Sequence, residues 1–200
     1  MSDIIIINTG VANIASVEAS LRRLGKTPAL SDDPDRVARA PQVILPGVGT
    51  FGAAMGQLRA RGLVEAIHER IRSERPLMGI CLGLQLLCDT SEESTEISGL
   101  GVVDEPVTRF QDRRLRIPHF GWNRVTPTEG AELLTEGWAY YANSYKLDHI
   151  PAGFEGALTE HGQPFVAALE RGSLLACQFH PELSGPWGAS LIQRWLEATC

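Results

Sequence analysis

Two hundred residues, 44% of them hydrophobic, are enough to fill the core of one α/β domain. A net charge of −6 and the lack of any basic block argue against a non-specific nucleic-acid binder, leaving only a local polyanion site open. The apolar start, IIII at 4–7, is far too short to span a membrane and has neither the basic flank nor the cleavage site of a signal peptide.

Elements alternate along the first half of the chain. Residues 3–8 read as a buried strand, and TGVAN then turns into a helix with Ile14, Val17, Leu21 and Leu24 on one face and Gly25 at its C-terminus. A short strand near 27–30, a helix over 34–39 and a strand at 42–45 follow. PGVGTFG is a glycine-rich loop, after which helical spacing continues to about Arg72. A strand at 77–80 and a helix after Cys81 complete a β-α-β-α-β-α-β-α series. That alternation implies a mainly parallel central sheet flanked by helices on both faces.

Beyond residue 100 the pieces are short and β-rich: 102–103, 107–110, 114–117, Val125, 138–143, 156–159, 165–170 and 174–179. The turn ERGS makes the last two an antiparallel hairpin, so the fold gains an antiparallel β portion. A helix over 187–198 closes the chain. No repeat, linker or low-complexity stretch divides it, and one domain, 1–200, is expected; the polar run SEESTE at 91–96 reads as a surface loop.

Cysteines 81, 88, 177 and 200 form no CxxC pair and show no close Cys/His ligand spacing. Free thiols in a reducing cytoplasm are the natural reading, with no metal and no cofactor called for. Cys81 differs from the others because GICLG at 79–83 fits the pattern of a nucleophile held on a tight strand-to-helix turn. Glycines on both flanks leave room for that turn, and a helix N-terminus favours the reactive thiolate. The N–H of Leu82, just past the nucleophile, would point at an oxyanion. Alone, the pentapeptide reads equally well as a buried cysteine at an ordinary strand–helix join.

A second segment shifts the balance. CQFHPELSG places His180 and Glu182 two residues apart at a strand end, where alternation sends both side chains to one face. A base oriented by a carboxylate is what a thiol nucleophile needs. The third segment, LPGVGTF at 45–51, can present backbone N–H groups to an anion, and a second oxyanion donor fits better than a phosphate loop, since neither Gly-Lys-Ser/Thr nor GxGxxG is present. The Gly47–Val48 peptide turns at low steric cost because one side is glycine, so either its carbonyl or its N–H can face the site.

These segments in this order resemble the class I, triad-type glutamine amidotransferases, and within them the glutaminase subunits of imidazole glycerol phosphate synthases. The resemblance runs nearly end to end through NTGVANIASV, LPGVGTF, GICLGLQLL, IPHFGWNRV, NSY and QFHPELSG, with PHFGWN the narrowest signal. It implies that Cys81 attacks the carboxamide of glutamine, His180 moves protons and Glu182 orients His180. It further implies oxyanion donors at Val48 and Leu82, and glutamine contacts at Gly49, Gln85, Ser144 and Tyr145. Ammonia then passes to a separate (β/α)8-barrel synthase subunit, forming imidazole glycerol phosphate for histidine biosynthesis. Pro118, His119, Trp122 and Asn123 would face that partner. Two positions depart from the family pattern: Asn143 replaces a histidine before the Ser-Tyr pair, and Leu183 replaces a cation expected at the partner face.

The remaining candidates read as structural. His68 lies on a helix, His149 and His161 sit in polar loops without a matching carboxylate, and Cys88 and Cys177 pack in the core. For His119, interface packing is favoured over catalysis. Competing functions are a class I glutaminase serving another acceptor, or a non-catalytic interaction protein on the same fold.

Overall fold

The computed structural model describes residues 4–9, 13–112 and 114–199; Asp3, positions 10–12 of the TGVAN turn, Arg113 and Cys200 lie outside them. The first strand explains its own composition. In β1 (Ile4–Ile7) all four isoleucines are buried. Ile4 and Ile6 pack with Val17, Leu21, Leu191 and Trp195, while Ile5 and Ile7 pack on the other face with Val37, Leu58 and Ile67. A strand covered on both faces has no reason to alternate, hence the unbroken apolar run.

Alternation continues through α1 (Ile14–Arg23), β2 (Ala29–Ser31), α2 (Pro34–Arg39), β3 (Gln42–Gly47), α3 (Phe51–Ala60), α4 (Leu63–Arg72), β4 (Leu77–Cys81) and α5 (Leu82–Leu86). Helix α2 starts where its sequence says it should: the Asp33 carboxylate accepts from Asp35 N at 3.0 Å, and Pro34 occupies the first turn. The helical run 51–72 splits at Gly62, whose φ of 68° only glycine adopts readily. The second half supplies β5 (Thr108–Arg109), β6 (His119–Pro127), β7 (Gly137–Asn143), β8 (Tyr145–Lys146), β9 (Glu155–His161), β10 (Gln163–Arg171), β11 (Leu174–Cys177) and the final helix α6 (Gly185–Ala198).

One nine-stranded sheet runs β2-β1-β3-β4-β11-β10-β9-β6-β7, and β5 with β8 forms a small antiparallel pair. The first five strands are mutually parallel. From β11 onward neighbours are antiparallel, including the hairpin across ERGS. The expected α/β core and its antiparallel addition are therefore one continuous sheet.

Several expected pieces differ. Residues 114–117 are turn and coil, and Val103 makes only an isolated bridge to Cys88. Strand β11 ends at Cys177, because the chain must bend to bring residues 178–182 over the end of the sheet. Helix α5 is only five residues long. The run at 91–96 is not wholly a surface loop: Ser91 is buried, and Glu93 reaches back to accept from Phe51 N at 2.6 Å, capping α3.

Candidate active site

The parallel strands β3 and β4 end side by side, Gly47 opposite Cys81. Cys81 caps α5 with φ 53° and ψ −107°, a left-handed φ that a non-glycine residue adopts only under constraint. The neighbouring glycines supply that constraint by close approach. A Cβ on Gly83 would lie 2.0 Å from the Leu45 carbonyl oxygen, and one on Gly47 would lie 2.6 Å from Leu82 Cβ. Strand and helix thus touch backbone to backbone, and the turn between them presents Cys81. Leu82 opens α5, so its N–H has no partner within the helix.

His180 and Glu182 arrive by a different route from the one expected. They do not alternate along a strand. His180 caps a single 3-10 turn, Pro181–Leu183, that contains Glu182. The turn brings the Glu182 carboxylate within 2.8 Å of His180 Nδ1, while His180 and Cys81 border the same cavity. Burial works against charge on His180, but its interactions with Cys81 and Glu182 outweigh it and raise the imidazole to about 10. The arrangement favours the imidazolium form of His180. His180 is held from both sides: its N–H donates to the Tyr140 carbonyl at 2.9 Å, and Ser184 Oγ donates to its own carbonyl at 2.6 Å.

A cavity of about 220 Å³ opens over the thiol, lined among others by Val48, Gly49, Cys81, Leu82, Gln85, Asn143, Ser144, Tyr145 and His180. Every residue expected to carry catalysis, oxyanion or glutamine contacts except Glu182 thus borders one space, and Glu182 stands behind His180. Gln85 Nε2 donates to the Tyr145 carbonyl at 3.2 Å and to Gln178 Oε1 at 3.0 Å, and Gln178 Nε2 lies 3.8 Å from Cys81 Sγ. Asn143 Nδ2 donates to the same Tyr145 carbonyl at 2.9 Å.

Gln178, Ser184, Glu93 and Phe120 also shape the site, and sequence reasoning missed them. Gln178 sits two residues before His180 in the motif, the one signal that could have found it. Glu93 and Phe120 line the cavity from distant segments.

The four partner-facing candidates separate. Pro118 and Trp122 are exposed and Asn123 is partly so, but His119 is turned inward, which corrects the interface packing expected of it. Its ring stacks on Tyr141 at 5.2 Å and on His161 at 4.1 Å. Exposed Phe120, Trp122 and Trp138, with Tyr140 against Trp122 at 6.1 Å, form an aromatic outer face on β6 and β7. His149 also differs from expectation, with Nδ1 3.1 Å from Glu105 at the surface.

Comparison with known proteins bears on the whole chain. The family described as glutamine amidotransferase class-I matches residues 5–198. Among curated relatives, imidazole glycerol phosphate synthase subunit HisH of Yersinia pseudotuberculosis serotype I (strain IP32953) is 44% identical over 199 residues, 98% of this chain and 99% of that protein. The HisH subunits of Escherichia coli (strain K12), at 42% over 98% of this chain and 99% of theirs, and Symbiobacterium thermophilum, at 40% over 100% and 96%, are similar throughout. A crystal structure titled glutamine amidotransferase superposes with a TM-score of 0.79 at 20% identity over 98% of both chains. PurLQS from Thermotoga maritima gives 0.74 at 17%, over 98% of this chain and 99% of that one. At those identities the two structures bear on the fold alone.

Proposed function

Because this chain belongs to the class I glutamine amidotransferase family, we propose that it is the glutaminase subunit of an imidazole glycerol phosphate synthase, feeding ammonia to a synthase subunit in histidine biosynthesis. The observation that carries the chemistry is Cys81 and His180 bordering one cavity, with Glu182 behind His180 at 2.8 Å from its Nδ1. Cys81 attacks the glutamine carboxamide carbon, and the N–H groups of Val48 and Leu82 receive the oxyanion. The imidazolium of His180 gives its proton to the departing nitrogen, so ammonia leaves and a γ-glutamyl thioester stays on Cys81. Neutral His180 then takes a proton from water, whose hydroxide attacks the thioester carbonyl; the C–S bond breaks, returning the Cys81 thiolate and releasing glutamate. Glu182 keeps the ring oriented through both steps.

Gly49, Gln85, Ser144 and Tyr145 hold the glutamine. The aromatic face beside the cavity, with Pro118, Trp122, Asn123 and exposed Leu183, docks a (β/α)8-barrel synthase subunit; an apolar residue at 183 makes that contact hydrophobic. The Gly47–Val48 peptide is a switch that turns its N–H inward when the partner holds its acceptor, which would be worth about 10²–10³ in rate. No described helix is long and apolar enough to cross a membrane, and the buried free thiols of Cys81, Cys88 and Cys177 suit a reducing cytoplasm.

The test is formation of imidazole glycerol phosphate by the chain mixed with a candidate synthase subunit, from glutamine and from ammonia. Cys81→Ala should abolish the glutamine-dependent reaction and spare the ammonia-dependent one. Substantial glutamine turnover by that variant would overturn the assignment. Equal hydrolysis by the free chain, the complex and the complex with an acceptor analogue would refute the switch.

A further inference from the structure

Gln178 follows directly on β11 and is fully buried. Its backbone N–H donates to the Ala167 carbonyl at 2.8 Å, so the residue is still tied to the sheet and its side chain is fixed at the root. A long polar side chain in so dry a place has to spend its donor and its acceptor on protein atoms.

The direction of each bond around it is forced. A carbonyl only accepts, so the Gln85 atom 3.2 Å from the Tyr145 carbonyl is its NH2 nitrogen. The same nitrogen meets Gln178 at 3.0 Å, and the Gln178 atom there is therefore the acceptor, Oε1. That turns the Gln178 NH2 toward Cys81 Sγ, to which it donates over 3.8 Å, within the longer reach of a hydrogen bond to sulfur. A neutral sulfur is a weak acceptor and gains little from such a donor. Once the sulfur carries a negative charge, the same bond is charge-assisted and roughly twice as strong. The contact favours the state that leaves an electron pair on sulfur.

We propose that Gln178 is a further catalytic residue, whose amide N–H stabilises the Cys81 sulfur as the leaving group when the γ-glutamyl thioester is hydrolysed. Hydroxide adds to the thioester carbonyl; as that intermediate collapses, the C–S bond breaks and its electron pair stays on Sγ, where the Gln178 N–H donates to it. No proton is transferred in this contact. The donor is set in place beforehand, because Gln85 holds the Gln178 amide and the Tyr145 carbonyl holds Gln85. The role rests on Cys81 being the nucleophile of glutamine hydrolysis.

The experiment uses the complex with the synthase subunit and two variants. Gln178→Met keeps the length of the side chain without a donor. Gln178→Glu keeps an oxygen for Gln85 but sets a second oxygen against the sulfur. After a pulse of glutamine and an acid quench, mass spectrometry follows the thioester on Cys81. Its lifetime should rise about tenfold or more in both variants, the scale of a hydrogen bond to a charged group. The glutamine KM should not rise, and ammonia-driven synthesis should be untouched. A raised KM with a wild-type thioester lifetime, or a wild-type lifetime in Gln178→Glu, would show that Gln178 only supports Gln85 and would overturn the proposal. If the thermal melt shows that Gln178→Met does not fold, the isosteric Gln178→Glu carries the test. A second readout needs no glutamine recognition: p-nitrophenyl acetate acetylates Cys81, and hydrolysis of that thioester expels the same sulfur. Deacetylation should slow by a similar factor in the variants, and an unchanged rate would overturn the proposal. Slowed deacetylation in a chain that does not turn over glutamine would support the donor and refute only the substrate reading.

Discussion

Gly83→Ala tests the backbone contact that builds the elbow. The added methyl would sit 2.0 Å from the Leu45 carbonyl oxygen, against an ordinary carbon–oxygen approach of about 3.4 Å. Something must therefore move by roughly 1.4 Å. Leu45 is laddered between strands, in register with Gly79 of β4, so it cannot give. The short helix α5 has to retreat, carrying the Leu82 N–H and the Cys81 thiol with it. A displacement of about 1 Å at a reacting group costs on the order of 10² in rate, and loss of one oxyanion donor about 10²–10³. Overpacking should also cost about 1–3 kcal/mol of stability. The assay is glutamate release from glutamine in the complex, with ammonia-dependent synthesis as the control and a thermal melt beside it. Glutamine turnover should fall at least about a hundredfold while the control holds. Gly79→Ala, whose nearest backbone neighbours lie at 3.1 Å, should be much milder. A Gly83→Ala enzyme as active as wild type would refute the claim that this contact positions the oxyanion donor.

Three further outcomes are expected. His180→Ala should lose more glutamine turnover than Glu182→Gln, since the first removes the proton carrier and the second only its orienter; equal losses in the same assay would show that the roles are not divided this way. The pH dependence of stability should carry the mark of His119. Its folded pKa is depressed to about 4 from an ordinary 6.5, so the unfolded chain binds the proton more readily; the stability is full above 6.5 and drains as pH falls toward 4. Thermal melts of His119→Phe should be flatter across that window than those of wild type. Trp122→Ala should weaken synthase binding about tenfold or more in titration calorimetry, as expected for a central aromatic anchor, while leaving the thermal melt of the isolated chain unchanged.

Legibility followed sequence distance. The strand of four isoleucines, the helix at 34–39 and the glycine-flanked thiol were all readable, because an apolar run, a helical segment and a tight turn each leave their mark within a few residues. His180 and Glu182 were also paired correctly, although a 3-10 turn rather than strand alternation joins them; a two-residue spacing allows either geometry. The sheet order, the contacts of Gln178 and Glu93, and the inward turn of His119 were different in kind. Glu93 caps a helix 42 residues away, Gln178 meets Gln85 across 93, and His119 stacks on His161 from another strand. Local pattern specifies whether a residue is buried, but not which distant strand becomes its neighbour. That choice belongs to the tertiary fold, because it is made by the total burial of both sheet faces and not by any one segment.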